Sequence, residues 1–387
     1  MTNKIGIIGA GISGLTLGCI LAKDSKNCTI YEKSDGPSNH GAGISLSPNI
    51  IRLLDELEIL EKVEKESCLP IDIVWRDNVG KVIREVNVSE FGKLITTNRK
   101  ILIKHLLDKY LSLGGKIEFS HELVKIKNEK ELLFQNGNEA HVDFIAGCDG
   151  IKSFVRSNYI KNDSPRFTGY TAWRGIGTSD SKRINIYLGP RSHIVCYPIN
   201  NSLETSFIGV IKNNYKNNES WREEGTHDQL ITDLSDYGDF IHSLFKSSEK
   251  VFRWGLYDRD KLNNFSKGNI TLLGDSAHPM MPFLGQGGAM AFEDAFVLGK
   301  LLLKLPSYDL AQEKYNDLRR KRVNYIKSSS ALQGYVNHLT SPLLKNVRDY
   351  LLKNTNIAMR RTKNIYCLLY TSPSPRDRTR SRMQSSA

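Results

Sequence analysis

The chain has 387 residues, 40% hydrophobic and 9% aromatic, with 54 Lys and Arg against 42 Asp and Glu for a formal charge of +12. That is enough apolar side chain for a packed core, so disorder throughout is excluded, and at roughly 100–200 residues per domain the length suggests about two or three domains. The positive balance raises nucleic acid or an anionic membrane as partner, but the basic residues occur singly or in short groups such as Arg319-Arg320-Lys321-Arg322, too dispersed for a nucleic-acid arm.

Residues 4–9 form a short apolar run suited to a strand buried on both faces, followed by a glycine-rich turn and helical composition from Leu15 to Lys23. Cys28 to Glu32 then reads as a second strand, so a parallel sheet begins here. Helices are expected at 48–64, opened by Ser47-Pro48, and at 99–113, closed by Gly114-Gly115, with 71–88 alternating between them like paired strands. Residues 116–147 read as short strands with a hairpin at Asn136-Gly137-Asn138. From 168 to 257 the pattern is β-rich, with strands at 171–177, 183–188, 193–199, 205–211 and 251–257 and a helical stretch at 226–245. A buried strand at 269–273, a long apolar helix at 285–305 and a charged helix at 307–329 complete the order.

The sharpest motif is Gly9-x-Gly11-x-x-Gly14 between a strand and a helix, with Glu32 ending the next strand. The first glycine permits the tight turn, the second lets a pyrophosphate approach the backbone, and the third lets helix and strand pack closely. The helix N-terminus then faces the phosphates and Glu32 accepts from a ribose hydroxyl. Two later clusters, Cys148-Asp149-Gly150 and Gly274-Asp275-Ser276, each put a carboxylate at the end of a strand, where open α/β sheets bind ligands. The second is followed by His278, Pro282 and Gly285-Gln286-Gly287-Gly288, a glycine-rich helix start suited to partial negative charge.

Together the three motifs resemble the class A FAD-dependent monooxygenases of the p-hydroxybenzoate hydroxylase fold, over residues 4 to 330. The stretches Gly41–Asn49, Gly169–Gly175, Trp221–Gly225 and Trp254–Arg259 are most similar to the branch of salicylate hydroxylase and 6-hydroxynicotinate monooxygenase. The resemblance implies an α/β fold in which a Rossmann-like FAD-binding domain (1–70, 96–168 and 264–335) interleaves with a β-sheet substrate domain (71–95 and 169–263), and a C-terminal helical segment at 336–366. It implies FAD as cofactor, held by Gly9, Gly11, Ser13, Gly14, Glu32, Lys33, Arg99, Asp149, Asp275, Gly285, Gly287 and Gly288. NADH or NADPH would reduce it, and O2 would add to give a C4a-hydroperoxyflavin that hydroxylates a small aromatic substrate, without any metal.

His193, Tyr197, Tyr187, Trp173 and Arg174 lie on the β layer expected to roof the flavin. His193 is a candidate base for a phenolic hydroxyl, Arg174 a candidate carboxylate anchor, and Tyr197 and Pro282 further catalytic candidates. His278 reads as structural, and His40 as a lesser candidate near the flavin. Two alternatives stay open: a flavoprotein epoxidase or non-aromatic ring hydroxylase, although Phe283 replaces the acidic residue expected of the urate type, and a flavin-binding reductase or silent partner without oxygenase activity.

Residues 367–387, with four arginines against one aspartate, resemble a translated sequencing adaptor. They are expected to be a non-native tail, and without them the charge falls to +9. The five other cysteines form no C-x-x-C and no even framework, the usage of a reduced compartment, and no window approaches the roughly 18 apolar residues of a membrane span. A cytoplasmic monomer or homodimer, with no nucleic-acid partner, is the resulting expectation.

Overall fold

The computed structural model describes residues 4–37, 41–213 and 223–366. His40, Trp221 and the tail 367–387 lie outside them. A six-stranded sheet has the order Ser266–Lys267, Ile270–Leu272, Phe144–Gly147, Ile5–Ile8, Cys28–Tyr31, Lys116–Glu118. Its pairings are parallel except for the edge hairpin of the first two strands. Every residue of Ile5–Ile8, Cys28–Tyr31 and Phe144–Gly147 is buried, because both faces are covered and no polar side is left. Helix Ile12–Lys23 packs over Ile7 and Ile30. On the other side a three-stranded antiparallel sheet, Leu123–Lys127, Glu131–Phe134 and Glu139–His141, brings Leu132 over Gly6 and Phe134 onto Tyr31.

A seven-stranded sheet runs Val251–Asp258, Arg166–Thr178, Glu204–Lys212, Ser192–Pro198, Ile184–Gly189, Asp72–Asp77, Val82–Asn87. The hairpin around Asp77–Gly80 therefore joins the edge of the large sheet, through a parallel pairing with Ile184–Gly189. Between the sheets, Gly43–Leu46 pairs with Ile95–Asn98. The expected helix at 48–64 is two helices, Pro48–Glu56 and Leu60–Lys65, because the chain turns through a left-handed Glu58 at φ 60°. The stretch at 226–245 likewise divides into His227–Asp233 and Asp239–Lys246, the first held by a Thr226/Gln229 capping box and the second starting after Gly238. The charged helix runs further than expected, from Tyr308 to Asn337. Among the described residues, no helix is long and apolar enough to cross a membrane.

The long helix is fastened to Gly287–Lys304 by a buried ionic cluster. Arg319 donates to Asp294 at 2.6 Å and to Glu293 at 2.7 Å, and Arg322 donates to Glu293 at 3.0 Å. Asp294 also accepts from the Gly274 N–H at 2.8 Å and pairs with His278 Nε2 at 2.5 Å, while Asn49 donates to Glu293 at 2.9 Å. Burial would push the Asp294 carboxyl up, but His278 and Arg319 outweigh it and hold it down at about 2; Glu293 is also lowered. Carboxylates depressed in the folded state stabilise it fully above the unfolded carboxylate range, and that contribution is lost as pH falls through the folded value. Global stability, followed by circular dichroism in urea, is therefore expected to drop steeply between about pH 4 and pH 2. Arg319→Met, which leaves two buried carboxylates short of a partner, should cost about 3–5 kcal/mol at neutral pH.

Candidate functional site

The glycine turn gives each of its glycines a separate reason. Gly9 has φ 103°, and a Cβ there would lie 2.6 Å from the Cys148 carbonyl oxygen. A Cβ on Gly14 would lie 2.0 Å from the Gly9 carbonyl oxygen, so helix and strand could not approach. At Gly11 a Cβ would meet nothing within 4 Å, which leaves the main chain open on that side. The Ser13 side chain is buried rather than turned outward, against Gly274, leaving its N–H in the first turn. Glu32 accepts from the main-chain N–H groups of Ala10 at 2.8 Å and Ser34 at 3.0 Å, which fixes its carboxylate at the mouth of the turn. Lys33 is exposed beside it.

A second helix start lies against the first. Gly285 takes the left-handed conformation at φ 63°, and helix Gly287–Lys304 begins two residues later. A Cβ on Gly288 would come within 3.0 Å of Ile44 Cδ1 and 3.7 Å of Ile12 Cδ1, whereas one on Gly287 would meet nothing. Neither helix has an acidic side chain in its first turn or a side-chain N-cap. Their unsatisfied N–H groups and positive dipole ends thus converge without an internal counter-charge.

Arg99 follows the Asn98 cap, and its N–H bonds the Ala42 carbonyl at 2.8 Å, tying this helix to the glycine-rich Gly41–Gly43 loop. Arg99 and Asp275 are solvent-accessible although protein surrounds them closely, as on the walls of a deep cleft. Burial pushes the Asp275 carboxyl up and the Arg99 guanidinium down, and the opposite charge of each resists the other's shift. Asp149 is turned back on its own loop, accepting from Ser153 Oγ at 2.5 Å and the Val155 N–H at 3.0 Å, and burial raises it too. Arg156, unassigned by the sequence, holds this loop to the Gly274 turn. It donates to Asp163 at 2.6 Å and to the Ala277 carbonyl at 2.9 Å.

Strand alternation sorts the remaining candidates. Trp173 and Tyr187 pack in the core behind the large sheet with Leu230, Leu234 and Phe245, and Trp173 Nε1 donates to Asp233 there at 2.9 Å. They therefore do not roof the flavin, in contrast to the expectation that grouped them with the others. His193, Tyr197 and Arg174 belong to the opposite face. Tyr197 lies where Gly43 crosses the sheet, since a Cβ on Gly43 would be 2.9 Å from its ring. Arg174 sits against Phe252 at 5.3 Å and Trp254 at 5.6 Å, and it is lowered to about 10 by burial and by Arg99, against the pull of Tyr197.

His193 Nδ1 lies 2.9 Å from His338 Nε2. Phe283, the neighbour of Pro282, stands 5.7 Å from His193 and 5.5 Å from His338, and Tyr170 stands 5.0 Å from His338. No motif or spacing singles out His338, which caps the C-terminal end of its helix. Tyr170 and Trp254 were inside recognised stretches, and the period of two would have put them on the face of Arg174. Among the described residues no group of His, Cys, Asp or Glu could hold a metal ion.

A parallel sheet whose strand ends carry a glycine turn with its acid, an Asp-Gly loop and a second glycine-rich helix start defines an FAD-dependent flavoprotein of the monooxygenase class. The chain belongs to the FAD binding domain family, whose model matches residues 2–324. It is 30% identical to 3-amino-4-hydroxybenzoate 2-monooxygenase of Streptomyces platensis, covering 89% of this chain and 91% of the relative. It is 27% identical to salicylate hydroxylase of Pseudomonas putida, over 88% and 87%. The fold matches Klebsiella pneumoniae HpxO, solved with FAD and uric acid, at a TM-score of 0.83 and 20% identity over 94% and 96% of the two chains.

The open face at Gly11 and the blocked one at Gly14 separate binding from folding. Gly11→Ala is expected to keep the apo-protein's unfolding midpoint but weaken FAD by about tenfold or more, roughly 1.4 kcal/mol, read by flavin fluorescence. Gly14→Ala should lower the midpoint itself.

Proposed function

We propose that this monooxygenase hydroxylates a small aromatic ring carrying a hydroxyl and a carboxylate. The observation that carries the reading is a single face on which a cationic wall, Arg99 and Arg174, adjoins an aromatic and imidazole wall formed by Tyr170, Phe283, Trp254, His193 and His338. A phenolic acid needs both: a guanidinium for its carboxylate and an apolar box around its ring. The curated relatives act on compounds of this kind, by name.

Glu32 and the Gly9–Gly14 turn would hold the adenosine end of FAD, Arg99, Asp149 and Asp275 its middle, and Gly285, Gly287 and Gly288 the flavin edge. Bound FAD, reduced by NADH or NADPH, supplies the oxygen chemistry. The chain's own groups do the rest. The Gly287–Lys304 helix dipole favours negative charge at its start, Pro282 and Phe283 wall the ring face, and Arg174 orients the carboxylate. Tyr197, against Gly43, closes the seam between sheet and cofactor loop, and His193 takes the hydroxyl proton as the ring becomes electron-rich. Exclusion of water by the aromatic wall favours product over wasted reductant.

Anaerobic reduction by NADH or NADPH, then air, in the presence of salicylate, 3-hydroxybenzoate and 3-amino-4-hydroxybenzoate tests this. Expected are reduction accelerated by the right acid and a hydroxylated product. Peroxide alone with every acid would overturn it and favour a reductase. Arg174→Met should raise KM for the acid by about tenfold or more while sparing the corresponding phenol without carboxylate.

A further inference from the structure

The His193–His338 pair joins the middle of the large sheet to the C-terminal end of the longest helix. His193 faces Val210 across the strand pairing and is 2% exposed. His338 is the C-cap of Tyr308–Asn337, its N–H bonded to the carbonyls of Gly334 and Tyr335, and is 6% exposed. The two ring nitrogens, 2.9 Å apart, share one proton when both rings are neutral, since two lone pairs or two N–H groups in that place would repel. Either ring could be the donor by distance alone. The surroundings favour His193. The Gly334 and Tyr335 carbonyls that accept from the His338 main-chain N–H carry the partial negative charge of the helix end. They lie on the main-chain side of the His338 ring, the side of Nδ1, which favours a proton on that nitrogen, although among the described residues no hydrogen bond to Nδ1 is made. With that proton in place, His338 Nε2 is the acceptor, His193 Nδ1–H the donor, and His193 Nε2 carries a lone pair.

We propose that His338 is a positioning residue: it locks His193 in the Nδ1–H tautomer so that Nε2 is free to take the substrate's hydroxyl proton. This rests on the reading of His193 as the proton acceptor. The step moves one proton from the phenolic oxygen to Nε2, leaving a phenolate beside an imidazolium whose Nδ1–H stays on His338. Phe283 and Tyr170 fix the His338 ring, and Phe283 itself fits over Gly334, where a Cβ would be 2.3 Å from its ring. The charged group whose field reaches His338 is Lys212, and Tyr170 is the other titratable neighbour. Burial, with His338 as the second cause, keeps His193 well below its ordinary value; burial outweighs its neighbouring carbonyls and holds His338 at about 4. Both rings are thus neutral at ordinary working pH, the state that tautomer control requires.

The test uses FAD-loaded wild type, His338→Gln, His338→Phe and His193→Gln. It measures product formed per NAD(P)H and kcat against pH, from 6 to 10, with the hydroxybenzoate that gives coupled turnover. His338→Phe should lose about 10–100-fold in hydroxylation at neutral pH, divert reductant to peroxide, and recover as pH rises and the phenol ionises unaided. His338→Gln, whose amide oxygen accepts from Nδ1–H, should stay within about threefold of wild type. A loss that is equal at every pH, or equal in both His338 variants, marks a structural role and overturns the proposal. So does wild-type coupling in His338→Phe while His193→Gln is impaired. Wild-type hydroxylation by His193→Gln overturns instead the reading of His193 itself.

Discussion

Two adjacent carboxylates, Glu293 and Asp294, point inward from a helix and are buried with Arg319 and Arg322. Taking four charges out of water costs several kcal/mol for each, offset only where nearly every donor and acceptor is used. Here they are used, by guanidinium groups, the Gly274 N–H, His278 and Asn49. Such a cluster tolerates little displacement, so the elements it joins keep one geometry. Those elements are the helix that starts at Gly287, the turn that presents Asp275, and the long helix that ends beside His338.

The same long helix therefore reports to both ends of the site. From Arg319 to His338 it spans about 28 Å at 1.5 Å per residue, and along the way Ser330 Oγ donates to the Met281 carbonyl at 2.8 Å. That bond sets the Pro282–Leu284 turn against the helix. The helix start at Gly287 and the imidazole pair are thus positioned from one rod, while the sheet supplies the facing wall.

Much of this was legible in the sequence because it rests on local rules. Gly9, Gly11 and Gly14 with Glu32, and the Asp149 and Asp275 strand ends, are dictated by backbone conformation and close approach, which short motifs record. The breaks at Glu58 and Gly238 were not legible, since a helical period continued across both. The phase of strand alternation was also hidden: Trp173 and Arg174 are neighbours in sequence, and only the packing of the helices behind the sheet sends one to the core and the other to the cleft. His338 and Arg156 act through partners remote in sequence, His193 and the Gly274 turn. No spacing rule reaches that far.

The charge balance takes a different meaning once located. The excess of Lys and Arg is diffuse, but two helix starts without acidic side chains meet the Arg99 and Arg174 guanidinium groups in one region. Among the described residues, Glu32 at the mouth of the first turn, Asp149 and Asp275 oppose them there, and burial raises the pKa of both aspartates, disfavouring their charged forms. Asp149 already spends its oxygens on its own loop. An electropositive cleft of this kind suits a pyrophosphate and a carboxylate together. The neutral imidazole pair lies on the aromatic side instead. On the proposed reading, anion recognition and proton acceptance fall to different walls, and the acceptor can remain uncharged beside a cleft suited to anions.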